Sequence, residues 1–212
     1  WIHCKGYLVR DDNMKPLYMI GCINEIGERQ KADNVSGLLG ESGFREYMNQ
    51  LDTPLETGYL LRIGIDHFKE INDNFGQEYG DFVLKKTAEC ISGCTSEGQK
   101  VYKLVADEFL ILDVASDEAK DADKLYDKVR EAIDRFIETN EFKVMYTVSG
   151  GIVPFAALKG NQCSEALKLT DFALNEAKKL GRNRCYIFNG ETYRKFLRKR
   201  EITQELREAV IN

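Results

Sequence analysis

Three short stretches of this chain gather residues of ligand-binding type. The first runs Ile65-Asp66-His67-Phe68-Lys69-Glu70-Ile71-Asn72 and on to Gly80-Asp81. A strand-like run ends at Ile65 and a helical pattern begins near His67, so main-chain N–H groups at His67 and Phe68 could hold a phosphate. Asn72 supplies an amide that both donates and accepts, and Asp81 a carboxylate that accepts two N–H bonds; both suit the edge of a base. The same residues also suit an amphipathic helix with a capping Asp. The second stretch is Val105-Ala106-Asp107-Glu108-Phe109, where adjacent carboxylates at a hairpin tip could bind Mg²⁺ and activate a hydroxyl. An acidic turn is equally a common solvated loop. The third is Lys178-Lys179-Leu180-Gly181-Arg182-Asn183-Arg184. Cations at a helix C-terminus complement the macrodipole, yet Lys178 and Arg182, four apart, could both reach a triphosphate.

These residues need a scaffold. Residues 6–10 and 16–23 read as strands about the turn 11–15, and residues 27–35 as a polar helical connector. Helical spacing follows at Phe44, Tyr47, Met48 and Leu51, then an apolar strand over 58–65. Helices are expected near 67–75 and 79–94, and strands over 101–105 and 109–114 close on the turn Ala106-Asp107-Glu108. A helix over 117–139 buries Ala122, Leu125, Val129, Ile133, Phe136 and Ile137. A strand over 142–153, a helix over 163–180 ended by Gly181, and a strand over 184–188 complete the unit. The order α-β-α-α-β-β-α-β-α-β, with a hairpin among the helices, predicts an α/β (α+β) domain: a mostly antiparallel sheet with helices packed around it. Residues 191–212 read as a charged connector helix whose run 194–200 is rich in Lys and Arg.

The chain has 212 residues and a net charge of −5, from 30 Lys+Arg against 35 Asp+Glu. That balance argues against a nucleic-acid-binding face but leaves room for a small basic pocket. No apolar run approaches the roughly 20 residues of a membrane span, and no signal peptide is visible. Six cysteines without a Cys-x-x-Cys pair read as reduced, mostly buried side chains of a cytoplasmic protein. His3 and His67 do not lie at zinc-finger spacing. The chain starts at Trp1 and closes in a charged stretch, which reads as a piece of a longer protein whose anchor, if it has one, lies elsewhere.

Together the clusters resemble one family, the GGDEF domains of diguanylate cyclases, which join two GTP molecules into cyclic di-GMP. The matching text is GIDHFKEINDNFGQEYGDFVL (64–84), LVADEFLIL (104–112), TVSGGI (147–152) and DFALNEAKKLGRNR (171–184). DNVSGLLGESGF (33–44) is similar to the family's opening motif. The resemblance spans residues 33–189 and implies a ferredoxin-like nucleotidyl-cyclase palm. It further implies that Asn72 and Asp81 contact guanine, and that Lys178 and Arg182 hold phosphates with the main chain near His67 and Phe68. Asp107 and the Ile65 carbonyl would ligate Mg²⁺, with Glu108 assisting. Family catalysis brings two domains face to face, each with one GTP, so a homodimer is implied. Residues 1–32 resemble the end of a PAS sensor domain, and residues 190–212 the helix leading into an EAL phosphodiesterase domain.

The chain departs from the pattern where it matters. The family's metal-binding Asp is Gly64, and the two signature glycines are Val105 and Ala106. Glycine there permits positive φ and close backbone approach; a β-branched Val at positive φ would be a strong outlier. The Asn-Arg of the opening motif is lost near Gly40-Glu41. The Arg-x-x-Asp of the family's product-inhibition site is Ser96-Glu97-Gly98-Gln99. These departures point to a degenerate domain with weak or absent cyclase activity, and the surviving Asn72, Asp81, Lys178 and Arg182 to one that still binds GTP and is regulatory. The alternatives are an active cyclase and a non-binding structural or dimerisation module.

Overall fold

The computed structural model describes residues 2–11, 15–25, 32–51, 55–114, 116, 119–139, 144–160 and 162–211. Strands β1 (Ile2–Arg10) and β2 (Pro16–Glu25) pair antiparallel as a two-stranded sheet. The remaining elements run β3 (Leu39–Gly40), α1 (Glu41–Asn49), β4 (Tyr59–Ile65), α2 (Phe68–Phe75), α3 (Gln77–Cys94), β5 (Gln99–Lys103), β6 (Glu108–Asp113), α4 (Ala119–Thr139), β7 (Val148–Pro154), α5 (Cys163–Lys179), β8 (Cys185–Ile187) and α6 (Gly190–Ile211).

Six of these strands form one sheet in the order β3-β5-β6-β4-β7-β8. The three inner pairings are antiparallel, and the two edge pairings, β3 with β5 and β7 with β8, are parallel. The expected mostly antiparallel sheet is therefore present. β4 lies in its middle and is buried on both faces, as a near-continuous apolar run requires. Alternation sends Tyr59, Leu61, Ile63 and Ile65 to one face, against Val83, Ile91, Val129 and Ile133 of α3 and α4. Leu60 goes to the other, with Phe44 and Met48 of α1 and Ala166 of α5. Arg62 and Gly64 belong to that second face, and it is there that the sheet carries charge. α5 packs closely on β7 at Gly151, where an added Cβ would lie 2.3 Å from the Leu174 main-chain nitrogen.

Several expectations need correction. Of the connector expected to be helical over 27–35, residues 27–31 lie outside the described residues, Ala32 bridges to Leu39, and 34–36 form a turn. There the Asp33 carboxylate accepts from the Ser36 N–H and hydroxyl, both at 2.7 Å, an alternative that Asp offers in place of a helical turn. The strand expected from 142 begins only at Val148; residues 144–147 are irregular, and 142–143 lie outside the described residues. The two-residue β3 was not anticipated. Three residues of the first turn, 12–14, also lie outside the description. Cys90, Cys94, Cys163 and Cys185 are free thiols, but only Cys163 is buried and the others are half-buried. α6 is not wholly solvated: Tyr193 and Phe196 pack on Phe172 of α5, with ring centroids 4.9 and 5.2 Å apart. Among the described residues no helix is long and apolar enough to cross a membrane.

Candidate functional site

The predicted residues collect at one end of the sheet, where β4 ends, β5 turns into β6, and α5 closes. Phe68 and Asn72 of α2, Gln77, Asp81 and Leu84 of α3, and Ala106 of the hairpin tip line a cavity of about 340 Å³. α2 and α3 are joined through Gly76 at φ 85°, a left-handed turn that suits glycine and folds the two helices together. Gly80 lets them approach. A Cβ there would sit 1.9 Å from Asn72 Oδ1 and 3.3 Å from Phe68 Cζ. Asn72 Oδ1 is buried without a hydrogen-bond partner, a condition that costs free energy until something satisfies it.

His67 lies apart from Phe68. Its backbone is left-handed at φ 58°, and its Nδ1 lies 2.6 Å from Glu70 Oε1. Its side chain lines a second, larger cavity of about 560 Å³ together with Asp66, Glu70, Asp134 and Glu138. Those carboxylates give that cavity the wrong sign for a phosphate. Only the main-chain N–H groups at the start of α2 remain available to the reading made for His67 and Phe68, since the first N–H groups of a helix have no intrahelical partner.

The hairpin tip takes its positive φ at Ala106 and not at Val105. Val105 points outward, 72 % exposed. It is Ala106 that takes positive φ, at 56°, a conformation that is uncommon for a residue with a Cβ. Lys103 holds it there: buried beneath the tip, its Nζ donates to the Leu104 carbonyl at 3.0 Å and to the Ala106 carbonyl. Burial lowers the Lys103 pKa, against the pull of Asp33, Asp107 and Glu108. Asp107 follows, its carbonyl accepting from the Ile65 N–H at 3.3 Å. Burial raises the Asp107 pKa, and Lys178 opposes the rise.

Glu108 stands directly across from Gly64. Its Oε2 accepts from Arg62 Nε at 2.7 Å and from a second Arg62 nitrogen. Arg62 also donates to the Leu167 carbonyl at 3.1 Å and lies 3.6 Å from Asp171. A Cβ built on Gly64 would lie 3.1 Å from Lys178 Nζ, so the ammonium rests over the position that lacks a side chain. Among the described residues no three His, Cys, Asp or Glu side chains converge as a metal cage. Arg182 follows the end of α5 at φ 59°, after Gly181 at φ 117°, its N–H bonded to the Ala177 carbonyl.

Sequence reasoning gave no role to Arg62, Lys103 or Asp66. Arg62 had a visible signal, a lone charge inside an apolar strand. Asp66 is 2 % exposed and accepts from Thr147 Oγ1 and Ser149 Oγ, both at 2.7 Å, and from the Asn183 N–H at 3.2 Å. It ties the end of β4 to β7 and to the loop that carries Arg182. Gln99, where the product-inhibition Asp would stand, donates to Tyr59 Oη and to Asp113 Oδ2.

The family model described as diguanylate cyclase, GGDEF domain, matches residues 31–184. The cyclic di-GMP phosphodiesterase NbdA of Pseudomonas aeruginosa is 28 % identical over 183 residues, covering 84 % of this chain and 23 % of that protein. The diguanylate cyclase VdcA of Vibrio cholerae is 28 % identical over 189 residues, covering 86 % of this chain and 55 % of that protein. The chain thus spans about half or less of these relatives. The GGDEF domain of TpbB (YfiN) from Pseudomonas aeruginosa superposes with a TM-score of 0.66 at 24 % identity, covering 78 % of this chain and 99 % of that one; that likeness concerns the fold.

Proposed function

As this chain belongs to the GGDEF domain family of cyclic di-GMP signalling proteins, we propose that it is a GTP-binding regulatory domain whose cyclase chemistry is weak or lost. The observation that carries the reading is the contrast between two neighbouring halves of the site. The base half is intact: Asn72 and Asp81 line one cavity, and an amide beside a carboxylate matches the donor and acceptor edge of guanine. The phosphate half keeps Lys178 and Arg182 at the close of α5. The half that would turn substrate over is depleted, because Gly64 supplies no carboxylate and Glu108 is neutralised by Arg62.

Mg²⁺ needs several hard oxygen ligands in near-octahedral geometry. Here Asp107 and the Ile65 carbonyl are the donors left to it, beside an ammonium. These residues do not fit the ion, and the proposed role needs none of its chemistry. The domain recognises the base with Asn72 and Asp81, orients the phosphates with Lys178 and Arg182, and leaves the α-phosphate unattacked.

In a parent of PAS–GGDEF–EAL organisation, with residues 1–32 ending the sensor and 190–212 leading to the phosphodiesterase, GTP bound here would bias the neighbouring domain. Such coupling requires GTP to favour one global state of the parent, a homodimer in this reading. Adding GTP to the full-length parent should change its phosphodiesterase rate, and Asn72→Ala should abolish that response; an unchanged rate would remove the regulatory part of the proposal.

A further inference from the structure

The charges around Gly64 support an inference that rests on the nucleotide reading and sharpens it. On the α5 face of the sheet, two cations, Lys178 and Arg62, stand among the carboxylates of Asp107, Glu108 and Asp171. Lys178 Nζ sits 3.1 Å from where a Gly64 Cβ would be. Arg62, with its side chain 13 % exposed, holds Glu108 through two nitrogens. Glu108 is thus held by Arg62 and Asp107 feels the Lys178 ammonium before any ligand arrives, and Gly64 adds no carboxylate of its own. A metal ion would meet the Lys178 ammonium in this place, whereas a polyphosphate would meet a cation that is already positioned.

We propose that this site binds a nucleoside triphosphate without a divalent metal ion, with Lys178 and the Arg62–Glu108 pair standing where an ion and its carboxylates would otherwise be. Two features of the fold make the arrangement stable. Arg62 is anchored at its far side by the Leu167 carbonyl and Asp171, so the guanidinium does not depend on ligand for its position. Lys178 is drawn over Gly64 because no side chain stands in its way.

The test is GTP binding to the whole chain by calorimetry, in EDTA and in Mg²⁺, with Mn²⁺ alone as a metal probe. The affinity in EDTA should equal or exceed that in Mg²⁺, and Mn²⁺ alone should not bind at the site. Gly64→Asp restores a carboxylate where the nearest obstacles are the flexible end of Lys178 and Leu174 Cδ2 at 3.2 Å. It should reverse the preference, weakening binding in EDTA by about tenfold relative to Mg²⁺. Arg62→Leu should also weaken binding in EDTA, and it serves as the second variant. GTP binding by the unaltered chain that is lost in EDTA would overturn this proposal and leave the nucleotide reading standing. No binding in either buffer would overturn both.

Discussion

Gly80→Ala isolates the base half of the site from the stability of the domain. The added methyl would lie 1.9 Å from Asn72 Oδ1 and 2.9 Å from its Cγ. Contacts that short do not persist, and the obstacle is the end of a side chain, so Asn72 must swing away. Ala is favoured over Gly inside a helix by about 0.8–1.0 kcal/mol. Overpacking costs about 1–3 kcal/mol. The net loss of stability is therefore about 0–2 kcal/mol, a fall in melting temperature of at most about 8 °C. Affinity should suffer more. Losing the amide's contact to the base edge is worth about 1–3 kcal/mol, or about 5- to 150-fold in the dissociation constant, and discrimination of GTP from ATP should fall with it. Asn72→Ala should produce the same loss, and the double variant no further loss, because both changes remove one contact. Calorimetry with GTP and ATP, beside thermal unfolding, reads all three. Undiminished guanine-selective binding by Gly80→Ala, or losses that simply add in the double variant, would refute the assignment of Asn72.

Two further outcomes follow from the packing and the charges. The Asp107 carboxyl is raised above its ordinary 3.8, chiefly by burial; the stability this group allows is complete below that value and declines as pH rises through the folded-state pKa. Asp107→Asn should then raise the melting temperature at pH 7, by a margin that shrinks toward pH 4, and a gain independent of pH would contradict the burial argument. Gly151→Ala would drive a methyl to 2.3 Å from the Leu174 nitrogen and 2.7 Å from the Ala173 carbonyl carbon. That helix backbone yields less readily than a side chain, so the loss should reach the upper part of about 1–3 kcal/mol, seen as a lowered urea midpoint; an unchanged midpoint would contradict the close packing of α5 on β7.

The sheet and its helices were legible because their patterns are long. The apolar run at 59–65 had to be an inner strand, and the spacing Ala122, Leu125, Val129, Ile133 had to be a helix face. β3 was illegible because two residues carry no periodicity and owe their state to pairing with β5. Residues 32–35, the described part of the expected connector, looked helical by polarity, but the Asp33 carboxylate captured Ser36 instead. In the site, residue types singled out Asn72 and Asp81, which line one cavity, yet the contacts that cross the chain did not show. Nothing local in the sequence says that Arg62 reaches Glu108, 46 residues on, or that Lys103 holds the Ala106 carbonyl. Val105 avoids positive φ because the β-branched side chain takes the exposed position of the turn and Ala106 takes the left-handed one.

The central claim is that base recognition has outlived turnover. Its most direct test is to titrate the chain with GTP and with ATP, then assay the same samples for cyclic di-GMP. The account predicts guanine-selective binding in the micromolar range with little or no cyclic product. Absence of binding at millimolar GTP, or sustained formation of cyclic di-GMP that Asp107→Ala abolishes, would contradict it.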